Sequence, residues 1–350
     1  MDKRRSNASA AGTSLGWRAI VLPAIFVICG AFVLLKLGDL RHMAFLLRGA
    51  RPGWLVLACI VECLRSVSNG KLFQTALGLA GYRFGWGEMI AKVTAFNAVN
   101  RIVPTGGASG SALMVATLQS EGVPPDRALF AIGLTYIYDY LTYLLVVAAT
   151  FVYLAVIGHL PGRAVLAAAL LVAVIGGVIG FLWWGLGKQE ALERTLAGIV
   201  RRLRRLRPSR EHSETPEASA SAMVERMGTL RRDVTANPKG LLRPVAPALG
   251  YNVLDVFNVW CVFQAFGHPQ PIGFVAAGFV IAMLLGFISF IPGQLGAFEV
   301  GMAGAFHTLF GVNLTVAMLV TGTYRLIQYW LPIPIGVVLA KHALHGTKGA

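Results

Sequence analysis

Eight ionisable side chains lie inside the long apolar runs of this sequence: the acids Glu62, Asp139, Asp255 and Glu299, and the bases Arg65, Lys71, Arg101 and Arg325. Each costs roughly 2.5–3.5 kcal/mol at the centre of a membrane helix, so each must pair or face a sheltered interior. Equal numbers of either sign fit internal pairing. Glu62 and Arg65, three residues apart, can meet on one helix face. Glu299 and Arg325 stand in consecutive segments, and Asp139 stands among Tyr136, Tyr138 and Tyr140. Such a set is no nucleophile-and-base arrangement. An arginine, two acids and several tyrosines suit the polar head of an amphiphile.

Two apolar segments are also interrupted at matching places. "RIVPTGGASGSALM" (101–114) carries Pro104, Gly106 and Gly107, and "FIPGQLGAFEVGM" (290–302) carries Pro292, Gly293 and Gly296. Unpaired backbone in hydrocarbon costs several kcal/mol per group, so such breaks persist only where protein or a wet cavity satisfies them. Helices restarting near Ser109 and Ala297 would present free N–H groups and a positive dipole end, able to hold an anionic group such as a lipid phosphate.

The elements needed to position these residues are membrane helices. Apolar residues make up 56% of the chain and charged residues 13%, and the mean hydropathy is +0.65. Several runs approach the ~20 residues that cross ~30 Å of hydrocarbon. The expected fold is all-α and polytopic: six full spans at 17–37, 53–80, 127–157, 162–187, 241–266 and 313–340, plus two re-entrant helical hairpins at 88–120 and 273–310. The leading arm 88–103 would reach only ~24 Å as a helix, short of a crossing. The second leading arm is longer, which makes that hairpin the weaker reading. The chain divides into a tail 1–16, a membrane half 17–187, a basic loop 188–240, a second half 241–341 and a tail 342–350. The run after the N-terminal tail has no cleavage-site pattern and reads as a first helix rather than a signal peptide.

The formal charge of +15 belongs to the flanks rather than to a nucleic-acid face. Basic clusters in 1–18 and 188–243 mark cytoplasmic ends by the positive-inside rule, placing both termini in the cytoplasm of an inner-membrane protein. On that topology the hairpins enter from opposite sides. The loop 38–52, with Arg41, Arg48 and Arg51, is its one misfit. A faint repeat at an offset of 189 pairs Gly122 with Gly311, Val123 with Val312, Ala128 with Ala317, Gly133 with Gly322 and Tyr140 with Tyr329. Inverted repeats with broken helices are the layout of many secondary transporters. Cys29, Cys59, Cys63 and Cys261 have no metal or redox spacing, and the seven histidines are scattered, so no metal or cofactor is expected. Neither a P-loop nor a zinc-protease motif occurs, and no enzymatic chemistry is indicated.

These same residues carry a family resemblance. "PGQLGAFEVGMAGAFHTLFGVNLTVAMLVTGTYRLIQYWLPIPIGVVLA" resembles the C-terminal signature of the lysylphosphatidylglycerol synthase transmembrane-region family, with Pro292, Gly293, Gly296, Glu299, Gly311, Val312 and Arg325 in order. "LRSVSNGKLFQTALGLAG" (64–81) resembles its second helix, Arg65 and Lys71 being the matching bases. "NRIVPTGGASG" with "GVPPDRALFAIGLTYIYDYL" resembles its first half-motif. Two departures stand out: the family often has Gly-Glu after the proline and an Arg three residues before the Asp, where this chain has "GGASGS" and Tyr136. The resemblance implies translocation of a lipid, of phospholipid, glycolipid or hopanoid type, across the bilayer. Its best-known members carry a soluble synthase domain, for which this sequence holds no counterpart.

The reading is therefore a lipid transporter or flippase. Its candidate substrate-binding residues are Arg65, Lys71, Arg101, Pro104, Gly106, Gly107, Ser109, Asp139, Pro292, Gly293, Gly296, Glu299 and Arg325. The alternative is an accessory membrane subunit of a lipid or envelope pathway, docking a biosynthetic enzyme through the basic loop. A lipid-modifying enzyme, a small-solute carrier and a channel fit less well. A homodimer is compatible with the sequence.

Overall fold

A computed structural model describes residues 48–102, 108–157, 176–177, 238–289 and 294–346, the last six of these by their backbone. All regular structure among the described residues is helical. The helices are α1 (Pro52–Leu79), α2 (Trp86–Ile102), α3 (Ala108–Ser120), α4 (Pro125–Val156), the short turn α5 (Pro238–Leu241), α6 (Val245–Ala265), α7 (Ile272–Ile288), α8 (Ala297–Phe310), α9 (Leu314–Arg325) and α10 (Pro332–Gly346), with a π turn at Leu326–Trp330. α4 and α6 are long and apolar enough to cross a membrane. The expected spans 53–80, 127–157 and 241–266 correspond to α1, α4 and α6. The spans 17–37 and 162–187, the tail 1–16 and nearly all of the loop 188–240 lie outside the described residues.

The last expected span, 313–340, is not one α-helix. It runs as α9, widens into the π turn and restarts at Pro332. The cause is local. Pro332 and Pro334 have no N–H, so the carbonyls one turn earlier lose their helical partners. The leading helices of the two expected hairpins, α2 and α7, are equally long at 17 residues, where the second was expected to be longer. At ~1.5 Å per residue both reach only ~26 Å. α3 and α8, at 13 and 14 residues, are shorter still.

The offset of 189 reappears in the backbone. α3 and α8 begin at 108 and 297, and α4 and α9 begin at 125 and 314. Between them Gly122 and Gly311 both take left-handed φ, 84° and 66°, a conformation glycine adopts without a Cβ penalty. Val123 and Val312, buried after them, send their N–H groups back to Leu118 and Phe306 at 3.0 Å. The same helix–glycine–valine–helix unit thus occurs twice.

The chain forms two compact units. The larger comprises Leu57–Asn258 and Ile327–Ala350, the smaller Met1–Val56 and Val259–Leu326. In the larger, α2 packs on α10 and on α3, and α3 packs on α4. Gly336 makes the first contact close: a Cβ there would sit 2.4 Å from Ala98 Cβ and 2.6 Å from the Thr94 carbonyl. Leu72, Phe73, Met89, Val93, Phe96, Met114 and Leu118 form its core, with Phe73 and Phe96 edge to face at 5.3 Å. In the smaller, α8 packs on α7 and α9, and the Phe306 ring fills the space beside Gly278. Phe279, Phe298 and Tyr324 gather at 6.1–6.2 Å.

The sidedness of these helices is that of a membrane protein. On α1, Glu62, Arg65 and Asn69 are buried while Ile60, Leu64 and Val67 are exposed. On α4, Thr135, Thr142 and Thr150 face inward while Leu141, Leu145, Val152 and Val156 face outward. A soluble amphipathic helix has the opposite pattern.

Candidate functional site

In the smaller unit the site begins at a bend. Gln294 has φ 57°, unusual for a residue with a side chain, and Gly296 has φ 85°. α8 starts one residue later. The Gly296 N–H donates to Glu299 Oε2 at 2.7 Å, so Glu299 caps the start of its own helix. The other carboxylate oxygen accepts from Arg325 Nε at 2.5 Å. Arg325 Nη2 reaches the Gln294 carbonyl at 3.4 Å, and its guanidinium lies 4.3 Å over the Phe298 ring. The arginine side chain is only 8% exposed and the glutamate 29%, so the pair is approached from its acidic side. An anion arriving there competes with Glu299 for a guanidinium that is already desolvated. Such charge-assisted contacts are about twice as strong as neutral ones.

In the larger unit Arg65 is the centre. Its Nε and Nη2 donate to Glu62 Oε2 and Oε1, both at 2.8 Å, in a forked pair. Asp255 Oδ1 lies 3.5 Å from Nε, and the Tyr251 ring lies 4.7 Å from the guanidinium carbon. Arg65, Glu62 and Asp255 are all at least 95% buried, and Arg65 Nη1 has no hydrogen-bond partner among the described residues. Asp139 is held differently, by an amide. Asn252 Nδ2 donates to Asp139 Oδ1 and is equally close to Thr142 Oγ1, both at 3.0 Å. Tyr136 and Tyr140 stack at 6.3 Å, and Tyr138 turns away to donate to the Leu241 carbonyl at 2.8 Å.

Arg101 ends α2 and locks onto the π turn. Its Nη1 donates to the Tyr329 carbonyl at 3.0 Å, Tyr329 Oη donates to the Arg101 carbonyl at 3.3 Å, and the guanidinium stands 5.2 Å from the Tyr329 ring centre. At the start of α3, Asn100 Oδ1 accepts the Gly110 N–H at 2.7 Å and the Ser109 hydroxyl at 3.4 Å. The first turn of α3 is thereby partly capped, where the sequence suggested free donors. Lys71 is exposed and stands apart from Arg65, on the wall of a separate cavity.

Of the expected residues, Glu299, Arg325 and Gly296 meet in the smaller unit. Arg65, Lys71, Arg101, Ser109 and Asp139 belong to the larger, each with its own surroundings. Pro104, Gly106, Gly107, Pro292 and Gly293 lie outside the described residues. A search for charges misses Asn100, Asn252 and Asn258, which bond to Gly110, Asp139 and the Ala58 carbonyl. Their signal was present as neutral amides inside apolar runs. No cluster of three metal-ligating side chains occurs among the described residues.

The profile of the lysylphosphatidylglycerol synthase TM region matches residues 18–336. A UPF0104 membrane protein of Methanothermobacter thermautotrophicus is 27% identical over 175 residues, 49% of this chain and 50% of that protein. A phosphatidylglycerol lysyltransferase of Staphylococcus aureus is 38% identical over 117 residues, 31% of this chain and 14% of that protein. The matched stretches therefore span half of the archaeal relative and a small part of the lysyltransferase.

Proposed function

The chain belongs to the lysylphosphatidylglycerol synthase transmembrane-region family, and on that premise we propose that it moves a polar or anionic lipid between the leaflets of a bacterial inner membrane. The observation that carries this reading is the Glu299–Arg325 pair, 2.5 Å long and set beside the bend that starts α8. A guanidinium kept from water by Phe298 and countered by one partly exposed carboxylate can exchange that carboxylate for a lipid phosphate. Releasing the phosphate restores the pair, so binding and release are nearly balanced, as transport requires. The lysyltransferase relative is named for phosphatidylglycerol, which makes that headgroup and its aminoacylated form the first substrates to try.

Further support comes from the short arms α2, α3, α7 and α8, whose lengths fit hairpins that enter a bilayer without crossing it. The twofold helix–glycine–valine–helix unit fits a transporter built from an inverted repeat. In this reading the chain itself carries no catalytic residue.

The test is reconstitution into liposomes with fluorescent lipids of differing headgroups, scoring leaflet exchange by a membrane-impermeant quencher. Wild-type protein should accelerate exchange of at least one headgroup over empty vesicles. Arg325→Ala and Glu299→Gln should lower that rate tenfold or more, while deletion of 208–236 should leave it within twofold. Loss of exchange on the deletion alone, with both point variants active, would overturn transport in favour of a docking subunit.

A further inference from the structure

The larger unit holds a cavity that the lipid-exchange reading does not use. It has a volume of about 430 Å³ and lies where the end of α1, the turn leading to α2 and the residues around α5 come together. Lys71, Arg83 and Arg243 line it, and no acidic side chain does among the described residues. None of the three is ion-paired among the described residues, in contrast to Arg65 and Arg325. The neighbouring polar groups are partly spent on shaping the walls. Gln74 Nε2 donates to the Phe84 carbonyl at 2.6 Å, fixing the turn, and Thr75 Oγ1 donates back to the Leu72 carbonyl at 2.8 Å. Tyr138 holds the opposite wall through the Leu241 carbonyl.

Three cations around one space repel one another, and an anion seated among them removes that repulsion. The volume falls in the range of small-ligand sites, and a lone monatomic ion would fill little of it. Depth points the same way. Lys71 is eight residues, or ~12 Å of helix, from the end of α1. Arg83 and Arg243 lie beyond the helix ends and are exposed, Tyr82 lines the cavity beside Arg83, and the 60%-exposed Trp86 begins α2. Tyrosine and tryptophan at helix ends mark the headgroup level of a bilayer. A cavity running from the headgroup level to Lys71 on α1 matches a phosphate with its substituent directed inward.

We infer that Lys71, Arg83 and Arg243 form a binding site for an anionic phosphate group at the membrane surface, supplied by a lipid headgroup or by free phosphate. The site is distinct from the Glu299–Arg325 pair and does not depend on leaflet exchange. Basic pockets between membrane helices are known to take anionic headgroups.

The experiment is native mass spectrometry of the full chain in a neutral detergent. It is titrated separately with dihexanoyl phosphatidylglycerol, dihexanoyl phosphatidylcholine and inorganic phosphate. Wild type should bind phosphatidylglycerol or phosphate at least tenfold more tightly than phosphatidylcholine. The double substitution Arg83→Gln/Arg243→Gln, at exposed positions outside the helices, should weaken that binding tenfold or more, as should Lys71→Gln. The double change to lysine should keep most of it. Phosphatidylglycerol alone binding identifies a lipid site, and phosphate binding equally well identifies a free-anion site; either sustains the inference. Glutamine variants that bind as wild type does, or no preference over phosphatidylcholine, would overturn it. Made in an Arg325→Ala background, Arg83→Gln/Arg243→Gln should remove the same tenfold in binding as it does in wild type, which separates failure here from failure of the transport reading.

Discussion

Arg65 is the residue on which the interior of the larger unit depends. Two buried carboxylates face it, and Glu62 is held by both prongs of its fork. Removing the base strands two acids away from water, which typically costs on the order of 3–5 kcal/mol. Arg65→Ala should therefore lower the apparent Tm sharply in detergent, seen in a thermal unfolding assay. Arg65→Lys should recover only part of the loss, because an ammonium cannot match the fork. The Glu62–Arg65 contact was legible in the sequence, since helical spacing alone brings residues three apart together. Asp255 was not, because nothing local links it to a residue 190 positions earlier. Asn252 was hidden for another reason: a neutral amide does not stand out when charge is the criterion, yet it is the partner Asp139 has.

At the scale of helices, close packing is set by individual glycines. Gly336 of α10 lies against the α2 backbone, and an added methyl would meet the Thr94 carbonyl at 2.6 Å, an atom that cannot swing aside. Gly304 of α8 has no atom within 4 Å of the same position. Gly336→Ala should lower the apparent Tm, whereas Gly304→Ala should raise stability by about 1 kcal/mol through helix propensity. The two variants measured side by side separate packing from propensity. Helix existence was readable from apolar length, and α1, α4 and α6 fall within a few residues of expectation. The broken last span was not read. Its composition stays apolar through 326–340, and the prolines at 332 and 334 signal an interruption only when their missing N–H groups are counted.

For the whole molecule the deciding feature is that the buried amides, hydroxyls and ion pairs sit inside an apolar core while aliphatic side chains also cover the outside. Leu145, 52% exposed on α4, belongs to the outward stripe. Leu145→Arg should cost about 2.5–3.5 kcal/mol on insertion and reduce the membrane-integrated fraction in an alkaline-extraction assay. Thr142→Val, one turn away and fully buried, should act instead on folding by leaving Asn252 short of a contact. The membrane class was plain from composition. The offset of 189 was faint as letters, since five identities in an apolar chain weigh little. It is clearer as backbone, where two left-handed glycines and two pairs of helix starts share one spacing.

The Glu299 carboxylate spends one oxygen on the Gly296 N–H and the other on Arg325. A glutamine there has a single acceptor oxygen, its second terminal atom being a donor that neither neighbour can use. With the side chain in its present place, Glu299→Gln gives up either the opening turn of α8 or the guanidinium, so no one exchange at this position measures the two contacts apart.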